Sequence, residues 1–284
     1  AAARISIMGI CNKAAGMLAP FVVGFFLLGD ASALEQRLAT LTGDAREAAL
    51  TELADRVVVP YLGMAAVLVL LGIGIRFAPL PELAVEEEEK HGAPDGRSVL
   101  SYPQLVFGVV ALFLYVGVEV LAGDSIGPYG SSLGIPLDEA KLFTSYTLGA
   151  MIVGYIVGIL CIPRFFSQSQ ALLGSAILGV VLTLGVVLLP GYASVLSIAL
   201  LGLANALVWP AIWPLAIDGL GRHTKTASAL LIMAIAGGAL LPLVYGWLGS
   251  LPGIGLQQAY WLMVPCYLFI GWYALAAPRL RARA

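Results

Sequence analysis

A lysine and a glutamate lie in stretches of this sequence that are otherwise built for burial. Lys13 follows Asn12 inside the apolar run Ile5–Gly29, and Glu119 lies inside the apolar run Tyr102–Gly123. A cation and a carboxylate in such surroundings can pair, carry a proton, or bond the hydroxyl groups of a ligand. Tyr115 precedes Glu119 by four residues and shares its helix face. Further on, Asn205, Trp209 and Trp213 recur at i, i+4 and i+8 in Asn205-Ala206-Leu207-Val208-Trp209-Pro210-Ala211-Ile212-Trp213-Pro214. An amide beside an indole suits a sugar, whose C–H face packs on the aromatic ring while the amide bonds its hydroxyls. Trp213 can equally belong to an interfacial aromatic belt.

The elements that must hold these groups are set by composition. Of 284 residues, 60% are hydrophobic and 11% charged, and the mean hydropathy is +0.94. Soluble domains carry about 25% charged residues, so the composition is that of an all-α, polytopic membrane protein. A spanning helix needs about 20 mostly apolar residues. Eight stretches qualify: Ile5–Gly29, Val57–Ala78, Tyr102–Gly123, Ala140–Pro163, Ala171–Leu189, Ala193–Ile217, Ala227–Leu248 and Gln257–Ala277. Lys13 then sits about 12 Å into the first span at 1.5 Å per residue. A lysine at such depth costs about 2.5–3.5 kcal/mol, so it must face protein or water. Pro210 and Pro214 are expected to kink the sixth span. The run Gly123-Asp124-Ser125-Ile126-Gly127-Pro128-Tyr129-Gly130 is expected to break the third near its outer side, with Asp124 pointing away from Glu119. Gly237-Gly238 is read as a point of close helix packing.

Several classes of function are excluded. Cys11, Cys161 and Cys266 stand alone in apolar stretches, so neither a disulfide nor a metal site is expected. No Ser/His/Asp set, HExxH or Walker-type sequence supports an enzyme, and no basic tract suggests nucleic acid. The polar link Asp30–Arg56 reads as a short helical hairpin, with capping-box spacing at Ser32–Glu35 and Asp44–Glu47. Pro79–Ser101, with Glu86-Glu87-Glu88-Glu89-Lys90, reads as a solvated linker. It divides the chain into residues 1–78 with two spans, the linker 79–101, and residues 102–284 with six. Many secondary carriers have two six-helix halves joined by a cytoplasmic linker, and on that pattern four helices precede this sequence. Arg4, Arg76, Lys90, Arg97, Arg164, Arg222, Lys225, Arg279, Arg281 and Arg283 collect on one side of the bilayer. Arg37, Arg46, Arg56 and Lys141 lie on the other. Both ends of the segment are therefore expected in the cytoplasm.

These residues resemble those of the fucose/glucose/galactose–proton symporter family of the major facilitator superfamily. The resemblance rests on Arg4-Ile5-Ser6-Ile7 with Asn12, on Tyr115-Val116-Gly117-Val118-Glu119, and on Asn205 through Ile217. It also rests on Gly219-Leu220-Gly221 through Thr224-Lys225, and on Ile232 through Gly238 with Pro242. It implies that the eight spans are similar to helices five through twelve of a twelve-helix carrier in a bacterial inner membrane. It further implies a monosaccharide as substrate, a proton as coupling ion with no other cofactor, and a monomer in the lipid bilayer. Asn12 is similar to a fifth-helix asparagine that contacts sugar, and Trp209 stands where the family has a tenth-helix aromatic. Glu119 with Lys13 favours the hexose or N-acetylglucosamine branch over fucose. The family's proton-coupling carboxylates lie in its first and fourth helices, outside this sequence. Asn12, Glu119, Asn205, Trp209 and Tyr115 are the expected substrate contacts, with Lys13 and Glu119 as a coupling ion pair. An exporter of another small molecule on the same fold and a non-transporting sugar sensor are the competing readings.

Overall fold

A computed structural model describes residues 2–23, 31–77, 98–162 and 164–281. Every regular element among the described residues is helical. Helix α1 spans Ala2–Val23, α2 Ala31–Thr40 and α3 Gly43–Phe77. After the linker come α4 (Pro103–Ser132), a short α5 (Leu137–Ala140), α6 (Phe143–Cys161) and α7 (Gln168–Leu188). The chain ends in α8 (Gly191–Ala206), α9 (Val208–Ile217), α10 (Thr224–Met233), α11 (Gly237–Ser250), a short α12 (Gly255–Ala259) and α13 (Met263–Arg281).

Seven helical stretches among the described residues are long and apolar enough to cross a bilayer, several of them built from two or three consecutive helices. The remaining expected span, the first, is α1, which is 22 residues long, about 33 Å at 1.5 Å per residue. Its apolar part within the described residues is the shorter Ile5–Ala19, with Asn12 and Lys13 in its middle. Most of the linker expected at 79–101 lies outside the described residues, as does Asp30.

Helix α4 is the axis of the bundle. It packs against α6, α8, α9, α11 and α13, while α7 closes the ring between α8 and α13, and α1 lies along α6 and touches α9. The exposed face of the bundle is apolar, as a lipid-facing surface must be, with Val153, Ile156, Val157 and Leu160 on α6 and Leu240, Leu243 and Trp247 on α11. Several polar groups turn inward and find partners, because the bilayer core offers no water to satisfy them. Ser125 shares a 2.6 Å hydrogen bond with Tyr260. Tyr129 shares one of 2.8 Å with Ser194, whose hydroxyl donates to the Val186 carbonyl at 2.6 Å. Gln257 donates to the carbonyls of Val186 and Leu189 at the end of α7, at 3.0 and 2.8 Å. These bonds tie α4, α7, α8 and the α12 region together at one end of the bundle.

Three sequence expectations meet the structure differently. The break expected at Gly123–Gly130 does not occur, for α4 continues through it to Ser132 with Pro128 inside. Packing overrides local propensity here. Thr144 donates to the Gly123 carbonyl at 2.7 Å one turn before the proline, and Gly130 receives the Phe143 ring against its backbone. Asp124, as expected, is exposed on the outside of this helix.

The kink expected at Pro210 lies about one turn before it, as a one-residue irregularity in an otherwise helical stretch. Leu207, at φ −93° and ψ −5°, separates α8 from α9. Proline 210 cannot donate to the Ala206 carbonyl and its ring crowds that group, so the helix parts one residue beyond it. The hairpin expected at Asp30–Arg56 exists only in its first arm. Its second arm is the beginning of α3, because Gly43–Val57 is rich in strong helix formers and contains nothing to stop the helix entering the span.

The close packing expected at Gly237-Gly238 is present. A Cβ on Gly237 would sit 1.9 Å from the Phe113 carbonyl oxygen of α4. Only a bare backbone lets α11 come that near.

Candidate functional site

Three helices bring the expected polar residues to one place. On α1, Lys13 projects from the face that packs on α6 and forms an ion pair with Glu119 of α4, across 106 residues of sequence. The side chains are 17% and 15% exposed, which leaves the pair largely shielded from solvent. One turn before Glu119, on the same face of α4, Tyr115 is buried. A carboxylate with a cation on one side has part of its hydrogen-bonding capacity left over, and that is the portion a ligand hydroxyl can use.

The aromatic wall of the site is built by the interrupted helix. Trp209 lies just past the break, half-buried, with its ring centroid 6.4 Å from that of Tyr115 and tilted by 60°. Trp213, one turn on, stacks against Trp209 at 5.6 Å and 20°. The break changes the expected picture of one continuous face. Trp209 and Trp213 stay together on α9, while Asn205 lies in the last turn of α8 on the other side of Leu207. Asn205 is fully buried, and its Oδ1 accepts a 2.8 Å hydrogen bond from the Tyr267 hydroxyl of α13. Its Nδ2 is buried without a protein partner, an amide donor kept available inside the bundle.

Of the residues singled out in the sequence, Lys13, Glu119, Tyr115 and Trp209 therefore form one connected group. Asn205 is bonded instead to Tyr267 of α13. Asn12 does not join it and is exposed on α1. Tyr267, the partner of Asn205, and Tyr155, which packs against α1 at Ile10, were not singled out. Their only signal in the sequence is that each is a phenol inside an apolar span, where a buried hydroxyl requires a partner.

No family model matches the chain. It is similar to curated sugar carriers: 31% identical to the glucose/galactose transporter of Brucella abortus over 234 residues, 81% of this chain and 56% of that protein. It is 26% identical to the L-fucose–proton symporter of Haemophilus influenzae over 233 residues, 80% of this chain and 53% of that protein. A crystal structure of the major facilitator superfamily transporter FucP in the outward conformation superposes with a TM-score of 0.66 at 21% identity, covering 96% of this chain and 69% of that one. The chain spans about half the length of the curated relatives it matches. It is a multi-pass membrane protein with part of the major facilitator fold, and a homologue of bacterial sugar transporters.

Proposed function

We propose that this chain is part of a secondary carrier that moves a monosaccharide together with a proton by alternating access. The observation that supports this most is the Lys13–Glu119 ion pair beside Tyr115 and Trp209. It sets charge, hydroxyl and indole surfaces next to one another inside a membrane bundle, the set of groups that a polyhydroxylated, uncharged ring requires. Glu119, Tyr115, Trp209 and the free amide of Asn205 contact the sugar in this reading. Asn12, exposed on α1, reaches it only if α1 turns or a further element covers that face. Lys13 holds the Glu119 carboxylate when the site is empty and exchanges it with the ligand when sugar enters.

The two segments on either side of the linker 79–101 act as parts of two rocking halves, with residues 1–78 in one and 102–284 in the other. The asymmetry of the basic residues supports both ends of the segment lying on the cytoplasmic side of an inner membrane, and in this reading one copy of the protein suffices for transport. Glucose or galactose is the substrate favoured by the named relatives, and Lys13 with Glu119 also admits an N-acetylated amino sugar. The test is uptake of labelled D-glucose, D-galactose and N-acetylglucosamine into proteoliposomes holding the full-length protein. An inward proton gradient should accumulate at least one of them, and a protonophore should abolish the accumulation. Sugar that enters at the same rate with and without the gradient would remove proton coupling from the account.

A further inference from the structure

The tryptophans fall into two kinds. Trp247, Trp261 and Trp272 are 62%, 45% and 45% exposed, as those of an interfacial belt are. Trp209 and Trp213 are half-buried, packed against the main core, and stacked on each other at 5.6 Å and 20°. The belt reading of Trp213, open in the sequence, therefore does not describe it.

Helix α9 runs antiparallel to α4, and its contacts give the depth of each ring. Trp209 meets Tyr115, with 6.4 Å between ring centroids. Further along α9, Ala216 meets Gly108 of α4, where a Cβ would lie 2.7 Å from the Ala216 methyl. Trp213 lies between these two levels, about 6 Å beyond Trp209 at 1.5 Å per residue. The direction is away from Glu119 and toward Asp218, which caps α9 and pairs with Arg281 at the basic end of the bundle. Helix α9 touches both α4 and α1, so the indoles lie beside the contact between residues 1–78 and 102–284, where a rocking carrier must open a path. Each is followed by a proline, Pro210 and Pro214, whose ring fixes φ and holds the spacing.

A sugar's C–H face packs on Trp213 as it does on Trp209. Its hydroxyls fare differently at the two levels. Between Gly108 and Tyr115, α4 carries only apolar side chains, so a sugar at Trp213 finds aromatic surface without the carboxylate that serves it at Trp209. We propose that Trp213 is a second, weaker platform for the sugar, which receives it from Trp209 and passes it toward the basic end of the bundle. This rests on the sugar-carrier reading above and adds a subsite to it.

Fluorine NMR of the full-length protein labelled with fluorotryptophan tests the subsite directly. The Trp213 resonance is identified by its loss in Trp213→Phe. Titration with D-glucose or D-galactose should shift it, and the shift should persist in Trp209→Phe. A Trp213 resonance that stands still in Trp209→Phe would overturn the subsite, since its movement in the wild type would then only report its stacked neighbour. The second arm is transport. Trp213→Leu should lower the initial rate of uptake into proteoliposomes at saturating sugar at least threefold, with calorimetric affinity within twofold of the wild type, and Trp213→Phe should recover most of the rate. Uptake by Trp213→Leu at the wild-type rate per folded protein would overturn the subsite and leave the carrier reading in place. A wild-type protein in which neither sugar shifts a tryptophan resonance or registers calorimetrically would overturn both.

Discussion

Lys13 carries the sharpest consequences at the scale of single residues. It and Glu119 are largely shielded from solvent, and removing one partner of a buried pair leaves the other charge without compensation, at about 3–5 kcal/mol. Lys13→Ala should therefore lower the unfolding temperature of the full-length protein more than the double substitution Lys13→Ala with Glu119→Gln does. If the double variant proved the less stable of the two, the pair would not be the compensated contact described. Asn205 and Tyr267 pose the same question for neutral groups. Leaving a buried polar group unsatisfied costs about 1–3 kcal/mol, so Asn205→Leu should destabilise by that order in a denaturation series. The reading of sequence alone reached Lys13, Glu119, Tyr115 and Trp209, because a charge or a patterned amide and indole in an apolar run is visible without a fold. It could not reach Tyr267. A tyrosine in a span looks like core or belt until the helix carrying its partner is in place, and that partner is 62 residues distant.

At the scale of elements, the interruptions matter more than the helices. The break at Leu207 was foreshadowed by Pro210, but proline alone does not say whether a helix bends or stops. The site lies at this point: Trp209, past Leu207, is against Tyr115, and Asn205, before it, accepts from Tyr267. Pro210→Ala returns a donor to the Ala206 carbonyl and favours one continuous helix. It should leave stability unchanged or raised and weaken sugar binding several-fold. Improved binding would mean that the break has no part in shaping the site. The Gly123–Gly130 run taught the opposite lesson, because α5 and α6 supply the contacts that keep α4 helical there. Local composition cannot record contacts from elements further along the chain. Close approach is equally testable. Gly237→Ala forces a methyl group into the Phe113 backbone and should cost about 1–3 kcal/mol or more, whereas Gly246, whose Cβ would meet nothing within 4 Å, should accept alanine freely. Equal tolerance at the two positions, read from expression and thermal unfolding, would contradict the α4–α11 packing.

At the scale of the whole molecule, α1 is the one span of residues 1–78 that meets the six-span segment along its length, while the apolar side chains of α3 are exposed. The α1–α6 contact is thus where the two segments can move relative to each other. Gly16 of α1 faces Leu148 of α6, with a Cβ there 2.9 Å from the leucine methyl. A cysteine pair at these two positions should form a crosslink on oxidation, stop transport, and release it on reduction. Transport that continues at full rate in the crosslinked protein would rule out rocking at this contact.

The most direct test of the account is counterflow. Proteoliposomes of the full-length protein, preloaded with unlabelled D-glucose or D-galactose and diluted into trace labelled sugar, need no proton gradient and report the site and its alternation together. The wild type should show a transient overshoot of label with at least one of the two sugars, and Glu119→Ala should abolish it. An overshoot of undiminished height in Glu119→Ala, or none from the wild type with either sugar, would contradict a sugar site built around Lys13 and Glu119.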